Sequence, residues 1–161
     1  MTKLTSHRGK FSANDSDIKT ERDLEKKLFV IQSNNIMIEL DFWIFNNSFK
    51  VGHDKENSFN ISKDLIINFK EVIIAHIKNP LEKKGYEFFF SNNIEHFVHT
   101  NEPIIFSSKA NPFCHSKFCN LFKDSKLISL IMPEMVMSED EILKHDFKNP
   151  YILTECIEKF F

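Results

Sequence analysis

The most regular alternation of apolar and polar residues runs from Ile36 to Phe45 and predicts a β-strand. One face of this strand is wholly apolar, with Ile36, Ile38, Leu40, Phe42 and Ile44. Because neighbouring strand residues point to opposite faces, the other face starts acidic, at Glu39 and Asp41, and then becomes aromatic at Trp43. A helix, a loop or another chain is therefore expected to cover Trp43.

Similar patterns predict most of the remaining elements. Runs of β-branched and aromatic residues between turn formers predict strands over 29–32, 86–90, 94–99, 104–107 and 126–132. Apolar residues at helical spacing predict a helix over 63–78, and a charged helix is expected over 17–27. Asn-Pro pairs at 111–112 and 149–150, and a capping box at 138–141, predict three helix starts in the last third.

These elements predict an α+β fold. Short connections favour a mostly antiparallel sheet of about five to six strands, with helices packed on it and a helical C-terminal third. With 42% hydrophobic residues in a chain of 161, one domain can build its own core. Residues 1–15 are polar and aperiodic, so they are expected to form a flexible lead before a single α+β domain over 16–161.

Composition indicates a cytoplasmic protein. The N-terminus lacks the apolar run of a secretory signal, and no stretch approaches the roughly 18 apolar residues of a membrane-spanning helix. Three cysteines cannot all pair within one chain, which is typical of a reducing compartment. We therefore expect no membrane association.

The densest group of potential metal ligands lies between His96 and Cys119. If the Asn-Pro pair at 111–112 opens a helix, Cys114 joins a core stripe, while His115 and Cys119 share a face and can meet one ion. On a strand, His96 and His99 point to opposite faces, so only one of them can complete the set. A zinc site would thus use His115, Cys119 and either His96 or His99; the simpler interpretation is a packing helix without a cofactor.

The most polar internal loop, 52–60, offers a second kind of chemistry. His53, Asp54 and Glu56 place a base and two acids close together, as general acid-base hydrolysis of a nucleotide or a nucleic acid requires. Charge-rich loops are also ordinary solvated surface. A loop that is only surface would project into solvent beside no pocket.

Acidic residues gather towards the C-terminus. They are Glu134, Glu139, Asp140, Glu141, Asp146, Glu155 and Glu158. This excess favours attraction of a basic partner, whereas the net charge of −2 argues against binding of nucleic acid. Glu139, Asp140, Glu141 and Asp146 would pair with the partner's cations, and Trp43 would supply an aromatic anchor. An uncovered Trp43 face is also compatible with a homodimer.

The sequence carries neither a phosphate-binding glycine loop nor a nucleophile elbow. We therefore interpret it first as a cytoplasmic protein-binding protein rather than an enzyme, possible roles being an inhibitor or an immunity-type protein that neutralises a basic nuclease toxin. The alternatives are a small hydrolytic enzyme acting through the 52–60 loop and a zinc-binding module.

Overall fold

Short runs of β-branched and aromatic residues form one mixed sheet. The computed structural model describes residues 3–12, 14–46, 48–79, 82–98, 102–144 and 148–160. The described strands are β1 (Lys3–His7), β2 (Met37–Phe45), β3 (Ser48–Val51), β4 (Phe59–Ile61), β5 (Ile73–Ile77), β6 (Glu95–Phe97), β7 (Ile104–Phe106), β8 (Pro112–Cys114), β9 (Ser129–Ile131) and β10 (Tyr151–Thr154). The described α-helices are α1 (Glu21–Ser33), α2 (Lys63–Asn68), α3 (Lys83–Ser91), α4 (Cys119–Phe122) and α5 (Glu139–Lys144). Short 3-10 helices lie at Ser116–Phe118, Pro133–Met135 and Ile157–Phe160.

Most neighbouring strands in this sheet are parallel. The parallel set runs in the order β6, β5, β2, β1, β10, β9, β8. Strands β3 and β4 extend β2 as an antiparallel ribbon, and β7 pairs with β8 in the antiparallel sense. Ser108 N donates to His96 O at 2.7 Å, and His96 N donates to Ser108 Oγ at 3.1 Å. These bonds link β6 to the connection between β7 and β8, so the ends of the parallel set approach each other as in a barrel.

The predicted mostly antiparallel sheet of five to six strands is therefore wrong, and β5 shows why. The predicted helix over 63–78 ends at Asn68, and Ile73–Ile77 form a strand between β2 and β6. Every residue of this strand is buried. A strand buried on both faces is apolar throughout, so its sequence resembles that of a buried helix.

The predicted helical C-terminal third is wrong as well. Both Asn-Pro pairs precede strands, β8 and β10. Pro112 occupies the first position of β8, where a missing N–H is tolerated. Asn149 is buried and its Nδ2 donates to Phe122 O at the end of α4 and to Ile128 O just before β9, so it holds these two segments together instead of capping a helix. The capping box at 138–141 is confirmed, since Ser138 Oγ accepts from Glu141 N at 3.3 Å.

Helices cover the outer face of the sheet. Leu24, Leu28 and Ile31 of α1 are fully buried at helical spacing and belong to the main core cluster. From α3, Phe89 packs edge-on against Phe42 with ring centroids 5.0 Å apart. The segments 29–32 and 86–90, predicted as strands, thus lie in helices. Among the described helices, none is long and apolar enough to cross a membrane.

The opposite face of the sheet has a core of its own. Met37, Ile74, Phe97, Ile105 and Phe113 form this second cluster. Lys3–His7, which fall in the predicted lead of 1–15, form β1 between β2 and β10 at the centre of the sheet. The face that carries the second cluster also carries the charged residues described next.

Candidate active site at the carboxyl ends of the strands

Four titratable side chains meet where β1 and β5 end, beside the first half of β2. His7, the last residue of β1, is in register with Glu39, and Asp41 of β2 is in register with His76 of β5. Glu39 and Asp41 are two residues apart in one strand, so their side chains share a face. In parallel α/β sheets, ligands bind at the carboxyl ends of the strands. These residues therefore mark the first candidate site.

Glu39, Asp41 and His76 form a group that we call the strand-end cluster. His76 Nδ1 lies 2.7 Å from Asp41 Oδ1 and 3.5 Å from Glu39 Oε1. One potential ligand atom from each of the three residues lies within 4.8 Å of the others. Glu39 and Asp41 are each 1% exposed. Carboxylates so deeply buried need cations or hydrogen bonds to compensate their charge.

Two permanent cations approach Asp41. Arg8 Nε donates to Asp41 Oδ2 at 2.9 Å, and Lys78 Nζ lies 3.4 Å from Asp41 Oδ1. The chain turns sharply after β1, since Arg8 has φ 53° and Gly9 has φ 77°. A Cβ at Gly9 would lie 2.6 Å from Ile18 Cδ1. Glycine therefore lets the chain turn here and bring Arg8 back over the strand ends.

The pKa values of the cluster reflect this charge arrangement. Burial alone would raise the pKa of Asp41, but the hydrogen bond from His76 and the charges of His76, Lys78 and Arg8 hold it well below its usual range. Burial alone would lower the pKa of His76, but its hydrogen bonds to Asp41 and Glu39 raise it above its ordinary value. The cluster thus favours positive charge at its centre, as a proton on His76 or as a cation in its place.

His7 is oriented by a carboxylate behind it. Its Nδ1 lies 2.8 Å from Glu155 Oε1, while its Nε2 faces Glu39 Oε2 at 3.7 Å. The hydrogen bond to His7 outweighs burial and lowers the pKa of Glu155, and the nearby charge of Lys10 adds to this effect. An ionised Glu155 favours the tautomer with the proton on Nδ1, so Nε2 of His7 is left as an acceptor towards the site.

One buried oxygen of the cluster has an unmet bonding capacity. Glu39 Oε2 makes no hydrogen bond within the described part of the chain. His7 Nε2 faces this oxygen from beyond hydrogen-bond distance, at 3.7 Å. Buried polar atoms normally have partners, and two carboxylates with an imidazole are a common donor set for a divalent ion. The residues present therefore fit a metal ion.

Two cavities meet at this site. One, of about 360 Å³, is lined by the whole cluster and by His7, Lys78, His115 and Ser116, among others. The other, of about 450 Å³, extends between the turn after β1 and the 52–58 loop. Arg8, Asp41 and His53 line both cavities. A substrate can therefore extend to either side of these three side chains.

The loop that the sequence singles out lies at this junction. His53 Nδ1 lies 2.9 Å from Asp54 Oδ1, with both side chains more than half exposed. Gly52 N donates to Asp41 O at 3.1 Å, and Trp43 Nε1 donates to Gly52 O at 2.9 Å. These bonds fasten the start of the loop to β2 and bring His53 to the cavities. Glu56 is exposed, and the catalytic use of His53, Asp54 and Glu56 remains a prediction.

The alternative zinc ligands have other contacts. Cys119 is fully buried in the short helix that follows β8, and its Sγ lies 3.3 Å from Cys114 Sγ. His96 Nδ1 lies 2.8 Å from Ile94 O, and its ring packs near α3. His115 lines the smaller cavity, whereas His99 lies outside the described residues. The predicted helix starting at 111–112, from which the spacing of this set was inferred, is wrong.

The structure describes some of the predicted partner-binding residues. Trp43 is half-buried and bonded to the loop, as described above. Glu141 caps α5 through Ser138, and Asp140 is exposed. Asp146 and the side chain of Glu139 lie outside what the structure describes. A basic protein partner, like a homodimer, remains a prediction.

Sequence interpretation missed the strand-end cluster, His7, Arg8 and Lys78 as functional residues. Two acids spaced by two on an otherwise apolar strand were the available signal, because buried carboxylates are rarely kept without a role. A second signal was a basic residue directly after each of two strands, Arg8 after β1 and Lys78 after β5. The first signal lay on a strand that the sequence predicted correctly, whereas the second could not be used while β1 was assigned to a flexible lead and β5 to a helix.

Comparison with known proteins gives a fold likeness. No protein-family model matches the sequence, and no curated protein matches it. Among solved structures, the chain is similar to the crystal structure of glycerophosphodiester phosphodiesterase from Agrobacterium tumefaciens strain C58, with a TM-score of 0.53 and 13% identity. The likeness covers 99% of this chain and 99% of that chain.

This likeness corrects two predictions. It agrees with the mostly parallel, barrel-like sheet and contradicts the antiparallel α+β fold with a helical C-terminal third. It also overturns the first functional interpretation, an inhibitor or immunity-type protein, because the similar structure is that of a hydrolase.

Proposed function

We propose that this chain is a metal-dependent hydrolase of phosphodiesters. The observation that carries the proposal is the strand-end cluster, with its unpartnered Glu39 Oε2, at the meeting point of two cavities. The similar solved structure is named a glycerophosphodiester phosphodiesterase, which makes small diesters of this class the first substrates to test.

The cationic side chains supply the phosphate-binding part of the site. Arg8 and Lys78 both approach Asp41 and line the smaller cavity, and Arg8 also lines the larger one. A guanidinium binds two phosphate oxygens in its plane, and an ammonium acts as a point charge. A phosphate held beside Arg8 can therefore place one ester arm in each cavity.

Glu39, Asp41 and His76 would hold a divalent ion. Such an ion supplies Lewis-acid polarisation of a phosphoryl oxygen and compensates charge that develops in the transition state. The residues of this chain supply the remaining functions. They bind the diester, fix its direction and transfer protons.

The two histidines are suited to opposite proton transfers. His7 accepts a proton at Nε2 from the attacking water, while its Nδ1 remains bonded to Glu155. As the water oxygen bonds to phosphorus, the bond from phosphorus to the leaving oxygen breaks. His53, whose Nδ1 lies beside Asp54, donates a proton to that leaving oxygen. The products are a phosphomonoester and an alcohol, so atoms and charges balance.

Hydrolysis of bis(p-nitrophenyl) phosphate and of glycerophosphodiesters by the full chain tests the proposal. After removal of bound ions with a chelator, product should form only when Mn²⁺ or Mg²⁺ is restored. Arg8→Gln should lower kcat/KM at least about a hundredfold, whereas the matched Arg22→Gln on the exposed side of α1 should not. Absence of hydrolysis with every ion, or activity indifferent to the chelator, would contradict the proposal.

A further inference from the structure

The strand-end cluster mixes two kinds of metal ligand. Glu39 and Asp41 offer carboxylate oxygens, and His76 offers the nitrogen of an imidazole. Ca²⁺ and Mg²⁺ are bound in proteins through oxygen ligands, and Mg²⁺ usually keeps several waters. Imidazole nitrogen favours first-row transition ions, and affinity rises from Mn²⁺ towards Cu²⁺. The donor set therefore discriminates between these two classes of ion.

The nitrogen of His76 is held in place from two sides. Its ring stacks on Phe97 with centroids 4.9 Å apart and planes inclined by 11°. Its backbone is fixed in β5 between β2 and β6, directly in register with Asp41 on one side and with Phe97 on the other. Turning the ring away from the carboxylates would lose both the stacking and the 2.7 Å contact with Asp41. The nitrogen donor is thus pre-oriented towards the cluster.

Burial adds to this preference. Glu39 and Asp41 are 1% exposed and His76 is 8% exposed. The unpartnered Glu39 Oε2 points to a ligand in the same space. An ion bound here exchanges much of its water for protein ligands, and Mg²⁺ dehydrates more reluctantly than larger transition ions.

We propose that the strand-end cluster selects a first-row transition ion, such as Mn²⁺ or Co²⁺, over Mg²⁺ and Ca²⁺, because His76 is one of its three protein ligands. This inference rests on the proposed metal-dependent function and specifies its cofactor.

Competitive equilibrium dialysis of the full chain measures the selectivity. We expect one site per chain, with Mn²⁺ and Co²⁺ bound at least about tenfold more tightly than Mg²⁺ or Ca²⁺. His76→Glu replaces the imidazole nitrogen with a carboxylate oxygen at the same position, so the variant should still bind an ion while the Mn²⁺ to Mg²⁺ affinity ratio falls about tenfold.

Electron spin-echo spectroscopy of bound Mn²⁺ identifies the ligand directly and does not depend on turnover. The wild-type chain should show modulation from a directly bound ¹⁴N nucleus, and His76→Glu should lose it. His7→Gln should keep it, because His7 is the other imidazole near Glu39. His96→Gln, at a buried histidine near α3, is the matched control and should keep both the modulation and the affinity ratio.

Each outcome decides between the proposals. Equal or tighter binding of Mg²⁺ or Ca²⁺, or nitrogen modulation that survives in His76→Glu, would overturn the inference and leave the metal-dependent hydrolase intact. Binding of no divalent ion would overturn both proposals. Circular dichroism would reveal whether His76→Glu folds. If it does not fold, the ion affinities and the echo spectrum of the wild-type chain still test the inference.

Discussion

The strand-end cluster and the 52–58 loop both place a histidine beside a carboxylate, yet they differ in burial. The side chains of His76 and Asp41 are 10% and 2% exposed, whereas those of His53 and Asp54 are 55% and 56% exposed. Two unit charges 4 Å apart interact by about 1 kcal/mol in water and by about 4 kcal/mol at an effective dielectric constant of 20. Similar residues are therefore strongly coupled in the cluster and weakly coupled in the loop.

The difference in burial also corresponds to two proposed functions, binding of the ion by the cluster and transfer of a proton by the loop. The cluster stands on paired strands, so its groups are fixed before a substrate arrives, as a metal site requires. The loop is hydrogen-bonded to β2 at its beginning, through Gly52. A side chain held in this way can follow a leaving group and then exchange its proton with solvent. We expect substitutions in the two regions to separate binding of the ion from proton transfer.

Asp41→Asn should have the largest effect. It removes a proposed metal ligand and the anionic partner of Arg8 and Lys78. We expect kcat/KM to fall at least about a thousandfold, and Mn²⁺ binding to weaken strongly in equilibrium dialysis. Hydrolysis within a few-fold of the wild-type rate would remove the cluster from the mechanism.

His53→Ala should have the next largest effect. It should lower the activity and leave the stability almost unchanged. Loss of the proposed general acid should lower kcat about a hundredfold. The side chain is exposed, so the free energy of unfolding should change by less than about 0.5 kcal/mol. Denaturant titration beside the kinetic assay checks both expectations. An unchanged kcat for p-nitrophenyl and alkyl leaving groups alike would show that the loop is only surface.

Glu155→Gln should change the dependence of stability on pH. Because the folded protein lowers the pKa of Glu155, its ionised form stabilises the fold above the unfolded pKa, and this contribution disappears as pH falls through the folded pKa. Glu155→Gln should therefore cost about 1 kcal/mol at neutral pH and little in strong acid. Urea unfolding at a series of pH values measures this, and a constant difference across the acid range would contradict it.

Trp43→Phe should have the smallest effect on the chemistry. It removes the indole bond to Gly52 O while keeping an aromatic ring. One lost hydrogen bond corresponds to about 1 kcal/mol, so we expect a few-fold lower kcat and an unchanged Mn²⁺ affinity. A weaker Mn²⁺ affinity in this variant would mean that the loop and the cluster are not separable.

The sequence predicted the local pattern of β2 well and its neighbours poorly. Period-two alternation located the strand and even placed Glu39 and Asp41 on one face. What brings His7 and His76 to these acids is parallel pairing with β1 and β5. Such pairing joins distant segments, and no local pattern encodes it. A strand buried on both faces and a polar N-terminal strand were accordingly mistaken for a helix and a flexible lead.

The segment 111–119 is a second place where a local sequence pattern did not predict the structure. An Asn-Pro pair is a good local signal for a helix start, but here Pro112 begins β8, which pairs with both β7 and β9. The strand and the following turn bring Cys114 and Cys119 together, whereas helical spacing would have kept them apart. The burial of Cys114 was predicted correctly, since free cysteine behaves as a small apolar residue.

A matched pair of substitutions tests the central claim most directly. Glu39→Gln and Glu56→Gln make the same chemical change, one in the buried cluster and one in the exposed loop. Measured with a phosphodiester and saturating Mn²⁺, kcat/KM should fall at least about a hundredfold for Glu39→Gln and stay at the wild-type value for Glu56→Gln. Equal kcat/KM values for the two variants, or a larger loss for Glu56→Gln, would contradict the account.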